Sequence, residues 1–535
     1  MSSSDPSPSS IDLVISFRSS SSTAYTQLLH LLHSSGLQAV GRQGDSSSHI
    51  LIFIRSPSHL LHRLLKAERD EAFLSGFPVP PSSTFSPSEP ISPADRVRLV
   101  HQYISSLGIS PEAKEWSPYI EKDGIFCLHD KPFNDEWIHA YTTGKGRKIS
   151  LERLRQQFGE QVALYFAFLH TYTYFLAFPA GIGLLFYIYG SKYGNGYGYN
   201  PIYSTLLVLW CIVFTEYWRI KERLILTRFG SYISTNTTNT KKTTTPWYTH
   251  YLKSLSTIPI LALCSTLLIT LLTALFILEA FVSHLYTGPL PQLFSLLPTL
   301  LFVLLVPRLV ALFGLAVERL TLWEGHIKGS DAYERSVLRK QFVFTALVAY
   351  GGLALSAFVY VPFGSDVVGF VQIWIGGFGL DAFQASSEMK LDEGRLRNQM
   401  FAYTVTNQIV NAFQEVGLPF VLRRVEAFRA KKTPSPSPSP QTSSLVKTTL
   451  TQLTLPPYTP ASDQLEMLTQ FGYIAIWSTI WPLAPVMGWA NDLLEGRGDA
   501  LKICVHARRA LPKSTSTTKG EIWTELLEGI AWLGE

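Results

Sequence analysis

The sequence predicts an α-helical polytopic membrane protein with an α+β cytosolic domain at its N-terminus. Three observations carry that prediction. Hydrophobic residues make up 46% of the 535 residues and charged residues only 16%, against about a quarter charged in a typical soluble chain. The apolar residues cluster into runs, several of which reach the ~20 residues needed to cross a bilayer core. Basic residues collect in every second loop between those runs, which is the charge bias that sets orientation in a membrane.

Residues 1–150 contain no long apolar run. Met1–Ser10 is polar, Ser/Pro-rich and free of a basic segment, so no secretory leader is expected. Ile11–Phe17 and His49–Ile54 alternate like strands, and Thr23–Ser35 and Pro57–Glu71 have helical periodicity. This region reads as the cytosolic α+β domain. The pairs His30/His33 and His59/His62 have i,i+3 spacing that fits either a metal or, more simply, the surface of an amphipathic helix.

Residues 151–505 read as the transmembrane domain, with eight spans at roughly 161–190, 201–218, 257–286, 291–316, 341–363, 397–421, 465–481 and 484–504. The loop after the second span carries Arg219, Lys221, Arg223 and Arg228. The loop after the fourth carries Arg319, Arg335, Arg339 and Lys340. Arg423, Arg424 and Arg429 follow the sixth, and Lys502, Arg508 and Arg509 close the eighth. These loops are therefore cytosolic, with the N-terminus on the same side. Residues 431–462 hold an SPSPSP run and read as a disordered linker. Residues 506–535 read as a cytosolic tail or, from Glu521 to Leu533, the start of a ninth span.

Some functions are excluded at this stage. Cys127, Cys211, Cys264 and Cys504 form no disulfide framework. The net charge of +5 is modest, and no nucleic-acid partner is expected. Gly144–Lys148 lacks phosphate-loop spacing, and there is no Asp-Lys-Thr-Gly motif. A passive transporter is expected rather than an enzyme or an energised pump.

Five carboxylates lie where a bilayer should exclude them. Glu415 is on span six, Asp463 and Glu466 open span seven, and Glu495 and Asp499 are on span eight. Intramembrane charge is costly and usually functional. The spacings i,i+3 and i,i+4 place each pair on one helix face. Asn411 and Asn491 each precede a glutamate by four residues and add amide oxygens to the same faces. With a rise of about 1.5 Å per residue, all of these groups fall in the inner part of the membrane. An all-oxygen set without His or Cys selects a hard ion such as Ca²⁺ over zinc, and five carboxylates nearly balance two Ca²⁺. Helix-end carboxylates wetted by the cytosol, or a proton-coupled carrier, use the same residues.

A polar stripe recurs on three spans. Span three carries Thr266, Thr270 and Thr273. Span five carries Thr345, Gly352, Ser356 and Tyr360. Span six carries Thr404, Asn407, Gln408, Asn411 and Gln414. Such stripes line wet grooves or glue helices together.

The stretches FTEYWRIKERLILTRFG (214–230), VPRLVALFGLAVERLTLWEGH (306–326), AFVYVPFG (357–364), VNAFQEVGLPFV (410–421) and TQFGYIAIWSTIWPLAPVMGWANDLLEGRGDALKI (469–503) resemble the anoctamin family of calcium-activated channels and lipid scramblases, in particular its fungal members. The QFGY…PLAP…N-x-x-x-E-x-x-x-D order is the most specific part. The resemblance implies a ten-span fold, of which about eight spans are present here. It implies a two-ion Ca²⁺ site at Asn411, Glu415, Asp463, Glu466, Asn491, Glu495 and Asp499. It also implies a groove along spans three to seven, opened when Ca²⁺ draws in the inner half of span six, with Gly417-Leu418-Pro419 as a weak point. The implied partners are membrane phospholipids or ions and a second copy of the chain, the family's dimer interface lying mostly on the tenth span. This sequence departs from the family in having Asp463 where many members have Glu, Asp492 in place of a second Asn, and Gly496 and Gly498 in place of apolar residues. The implied function is a calcium-activated phospholipid scramblase; a calcium-activated ion channel and a non-transporting membrane-contact tether are the alternatives.

Overall fold

The computed structural model describes residues 11–18, 22–46, 48–74, 91–111, 113–143, 150–193, 200–229, 253, 255, 257–284, 297–326, 328, 331–363, 394–432, 444–512 and 517–534.

Four strands form the N-terminal sheet: β1 (Leu13–Arg18), β2 (Gln38–Gln43), β3 (His49–Arg55) and β4 (Ile120–Phe126), in the order β2-β3-β1-β4 with every pairing antiparallel. Period-two alternation decides the faces. Leu13, Ile15 and Phe17 point to one core, shared with Leu28, Leu32 and Val100 of the covering helices Ser22–Ser34 and Pro93–Ser106. Val14, Leu51, Phe53 and Phe126 point to the other, where Leu445 and Val446 cover them. Those two residues belong to a helix, Ser444–Leu453, inside the stretch expected to be a disordered linker. Its apolar residues recur at helical spacing and find a sheet face to bury; composition alone weighted the neighbouring Pro/Ser run too heavily. The SPSPSP run itself lies outside the described residues. Strands β2 and β4 also have no counterpart in the sequence reading, because polar or charged residues and a glycine break up their apolar pattern.

The helix Lys131–Thr143 and the short helix Leu151–Phe158 lead to the membrane region. Gly159, at φ +94°, makes the corner. Among the described residues, five helices are long and apolar enough to cross a membrane: Glu160–Gly190, Pro201–Phe229, Thr257–Glu279, Leu300–Trp323 and Ala332–Phe363. We number the helices at the expected span positions first to eighth. The third, fourth and fifth are tied by one buried cluster near Thr257, Glu324 and Lys340. There Lys340 donates to both oxygens of Glu324 at 2.7 Å, and Thr257 and Ser336 donate to the same carboxylate at 3.2 Å.

The sixth helix is not regular. It runs as Gly394–Phe401, Asn407–Ala412 and Leu418–Lys432, interrupted by π-turns at Ala402–Thr406 and Phe413–Gly417. Such one-turn insertions frequently sit at functional positions. The seventh helix is Pro460–Trp477 and the eighth Ala484–Leu501, followed by a π-turn at Lys502–His506. A final helix, Thr517–Gly534, buries Ile522, Leu527 and Ile530 in the main membrane core. That core is aromatic: Tyr172, Trp210, Phe214 and Phe471 join the first, second and seventh helices at ring distances of 5.4–6.4 Å.

Candidate metal centre between the sixth, seventh and eighth helices

The seventh helix begins with Pro460 in its first turn, which needs no backbone donor. Asp463 follows in that turn and is 2% exposed. Its Oδ2 accepts from the Tyr458 hydroxyl at 2.8 Å, and its Oδ1 accepts from Lys502 Nζ at 2.8 Å and from Ser462 at 3.1 Å. Glu466, one turn on, accepts from Asn411 Nδ2 at 3.2 Å, a bond that joins the sixth and seventh helices. On the eighth helix Asn491 Nδ2 donates to Glu495 at 2.7 Å. Asp499 is buried and accepts from the Tyr165 hydroxyl of the first helix.

Asn411, Glu466, Asn491, Glu495 and Asp499 line a single cavity of about 210 Å³, and Thr404 and Gln408 line it too. Five of the seven expected ligands thus share one space with two residues of the expected groove. Asp463 does not line it. The backbone of Glu415 lies in the second π-turn, and its side chain falls outside the described residues. Among the described residues no three acidic, His or Cys side chains stand close enough to hold one ion. Among the described residues, Asp463, Glu466, Glu495 and Asp499 are instead each hydrogen-bonded by a neutral or cationic neighbour. The donors fit a hard divalent cation in kind: carboxylate and amide oxygens only, in a cavity of suitable size. Their present pairing is not that of a closed coordination shell.

The remaining expected groove residues separate into groups. Thr404 bonds back to the Met400 carbonyl at 2.7 Å, and Asn407 points outward. Thr273 meets the Tyr360 hydroxyl at 3.0 Å and Phe276 stacks on the Tyr360 ring at 4.0 Å, so the third and fifth helices are joined there. Thr266 and Thr270 are exposed and bond to carbonyls of their own helix, Thr345 is half-buried, and Ser356 is fully buried at the fifth helix's π-turn. Asp492 faces away from the cavity and accepts from Gln470 at 2.8 Å.

Sequence reasoning missed Tyr165, Tyr458 and Lys502. Lys502 carries a usable signal, three residues after Asp499 on a helix that continues into the π-turn. Tyr165 has none, because it is 334 residues from its partner.

Other polar features are structural. A cavity of about 800 Å³ beneath the N-terminal domain is lined by Arg508 and Arg509, yet both guanidinium groups donate to backbone carbonyls, those of Asp123, Leu453 and Leu455 for Arg508 and, through its two terminal nitrogens, those of Leu128 and Gln157 for Arg509. Ser16, His49 and Asp45 line up like a hydrolase triad, but Ser16 is fully buried and a substrate has no approach to it.

Comparison with known proteins agrees with this architecture. The family model described as "Anoctamin: Calcium-activated chloride channel" matches residues 154–535, and that described as "Alpha-beta plait domain in TMEM16 lipid scramblase" matches residues 10–118. An uncharacterized protein of Schizosaccharomyces pombe is 25% identical over 98% of this chain and 81% of its own length. Human anoctamin-10 is 27% identical over 75% of this chain, and increased sodium tolerance protein 2 of Saccharomyces cerevisiae is 26% identical over 77%. The chain spans 58% of the length of anoctamin-10 and 48% of that of the yeast protein. Two family models that between them cover three of the four sheet strands and the membrane helices make this chain an integral membrane protein of the anoctamin family.

Proposed function

We propose that the protein is a calcium-activated phospholipid scramblase, passive and not enzymatic, with its N-terminal domain in the cytosol. One observation carries the reading: the carboxylate and amide groups of three helices share a cavity with the polar residues Thr404 and Gln408 of the sixth helix. Asn411, Glu415, Asp463, Glu466, Asn491, Glu495 and Asp499 are the proposed ligands of two Ca²⁺. Bound calcium would supply the positive charge that lets these carboxylates approach one another. The residues themselves do the rest. Tyr165 and Asp499 fix the eighth helix against the first. Asn411 couples the sixth helix to Glu466. The π-turn at Phe413–Gly417 lets the inner part of the sixth helix shift without breaking its outer part. The polar face of the sixth helix, with Thr266, Thr270, Thr273, Thr345, Ser356 and Tyr360 of the third and fifth, is the proposed path for headgroups. A homodimer is the proposed assembly.

A calcium-activated ion channel is the second reading, supported by the description of the matched family. Proteoliposomes separate the two. Fluorescent lipid is placed in both leaflets and an impermeant quencher is added with and without calcium. Calcium-stimulated loss of the protected half, abolished by Glu415→Gln and not elicited by zinc, is the expected result. Calcium-dependent ion flux without lipid movement assigns the channel, and neither activity in folded protein rejects both.

A further inference from the structure

We infer that Lys502 is a resident cation of the calcium site, holding Asp463 out of the cavity and setting the calcium concentration the site needs. The inference rests on the ligand assignment just proposed. Both oxygens of Asp463 are engaged, Oδ1 by Lys502 Nζ at 2.8 Å and by Ser462, Oδ2 by Tyr458. The two side chains are 3% and 18% exposed, so solvent and salt screen the pair little. Glu466, three residues further along the same helix, lines the cavity, whereas Asp463 does not.

Lys502 is well placed for this role. It lies one helical turn beyond Asp499, at the point where the eighth helix passes into a π-turn. Its ammonium therefore projects from the end of the helix that carries Glu495 and Asp499. Arg497, on the same helix, is exposed. A divalent cation that uses Asp463 must share the carboxylate with the ammonium or displace it, and either costs affinity because like charges would stand a few ångströms apart.

The position of Lys502 also gives any displacement a route to the cytosolic domain. The carbonyls that follow it are held from the N-terminal side of the chain. Cys504 accepts from Asn134 at 3.2 Å, Ala507 from His129 at 2.9 Å, and Arg509 and Ala510 face the Cys127 thiol at 3.7 Å. Movement of Lys502 is therefore felt at residues 127–134, at the foot of the sheet domain.

The test is a calorimetric Ca²⁺ titration of the purified chain in lipid nanodiscs, with melting temperature read in parallel. Lys502→Met should bind Ca²⁺ at least about tenfold more tightly. It should melt lower than the parent without calcium, because Asp463 is then buried unpaired, and should gain more on calcium addition. Lys502→Arg should stay within about threefold of the parent. Lys502→Gln serves where the methionine variant does not fold. Glu466→Gln is run alongside. If Glu466→Gln abolishes binding while Lys502→Met and Lys502→Gln bind no more tightly than the parent, Lys502 is a structural tie and the inference is overturned. If Glu466→Gln leaves binding unchanged, the ligand assignment itself is wrong. Adding Asp463→Asn to Lys502→Met should cancel the gain, since the two changes act on one contact.

Discussion

The eighth helix and the sixth face the same cavity but are built differently. The eighth lies against the first and seventh with little spare volume. Gly496 packs against Leu169, and a Cβ on Gly488 would meet Ile474 at 2.9 Å. The sixth is broken by two π-turns and buries no side chain between Asn407 and Ala412. The proposed ligands divide in the same way. Asp463 and Asp499 are buried and held by tyrosines, whereas Asn411 and Glu415 ride on the irregular helix. The contrast suggests a site with a fixed wall and a movable one, in which the fixed wall supplies stability and the movable one the response.

The largest expected effect tests that division directly. Glu415→Gln and Asp499→Asn should each raise the calcium needed for half-maximal scrambling by about a hundredfold, which abolishes the response at the calcium level that saturates the parent, since each removes a proposed charged ligand. Only Asp499→Asn should also lower the melting temperature without calcium, because only Asp499 is built into a packed seam. Equal stability losses in the two variants would erase the distinction between the walls.

Next in size is Gly183→Ala on the first helix. A Cβ there would stand 2.1 Å from the Pro482 carbonyl in the turn between the seventh and eighth helices. The backbone must move, at a cost of about 1–3 kcal/mol, measurable as a lower melting temperature. Gly496→Ala, whose Cβ would meet Leu169 at an acceptable 3.4 Å, should be neutral or stabilising by up to about 1 kcal/mol. Together the two substitutions map how tight the fixed wall is.

A smaller effect concerns the link from that wall to the N-terminal sheet domain. Burial pushes the His129 imidazole below its ordinary range, with the Arg509 charge adding to the shift. The neutral ring is the one the structure uses: Nε2–H donates to Ala507 and Nδ1 accepts from Asn134 at 3.1 Å. The unfolded chain takes up a proton near pH 6.5, before the folded chain does. This contribution to stability is therefore complete above about pH 6.5 and is lost as pH falls from there through the lower folded value. Melting temperatures measured between pH 7.5 and 5.5 should fall on acidification, and His129→Asn should flatten that slope.

How much of this was legible in the sequence depends on the range of the interaction. The long apolar spans and the paired carboxylates are local patterns, and the helices at Pro460–Trp477 and Ala484–Leu501 carry them as spacing requires. The helix at Ser444–Leu453 was hidden because its reason for forming is a sheet face more than 300 residues away in sequence. The partners of Asp463 and Asp499 were hidden for two reasons. Tyr165 comes from a distant helix, and Lys502 looked like one more basic residue of a cytosolic loop. The π-turns leave almost no compositional trace. Gly417 hints at the second one, while Ala402–Thr406 contains neither Gly nor Pro.

The smallest expected effect falls on that second π-turn and probes the movable wall alone. A Cβ on Gly417 would meet the Phe413 ring at 2.6 Å. Phe413 is 56% exposed, so the ring can swing aside and Gly417→Ala should fold. Alanine favours helix over glycine by about 1 kcal/mol, and the stiffer turn should resist carrying Glu415 towards the seventh and eighth helices. At about 1.4 kcal/mol per factor of ten, the calcium needed for half-maximal scrambling should rise by about threefold to fivefold, with the melting temperature unchanged or slightly raised. A shift in stability with no shift in calcium response would place the moving part elsewhere. A response shifted without loss of stability, set beside the opposite pattern in Gly183→Ala, would show that one cavity is shared by a wall that holds and a wall that moves.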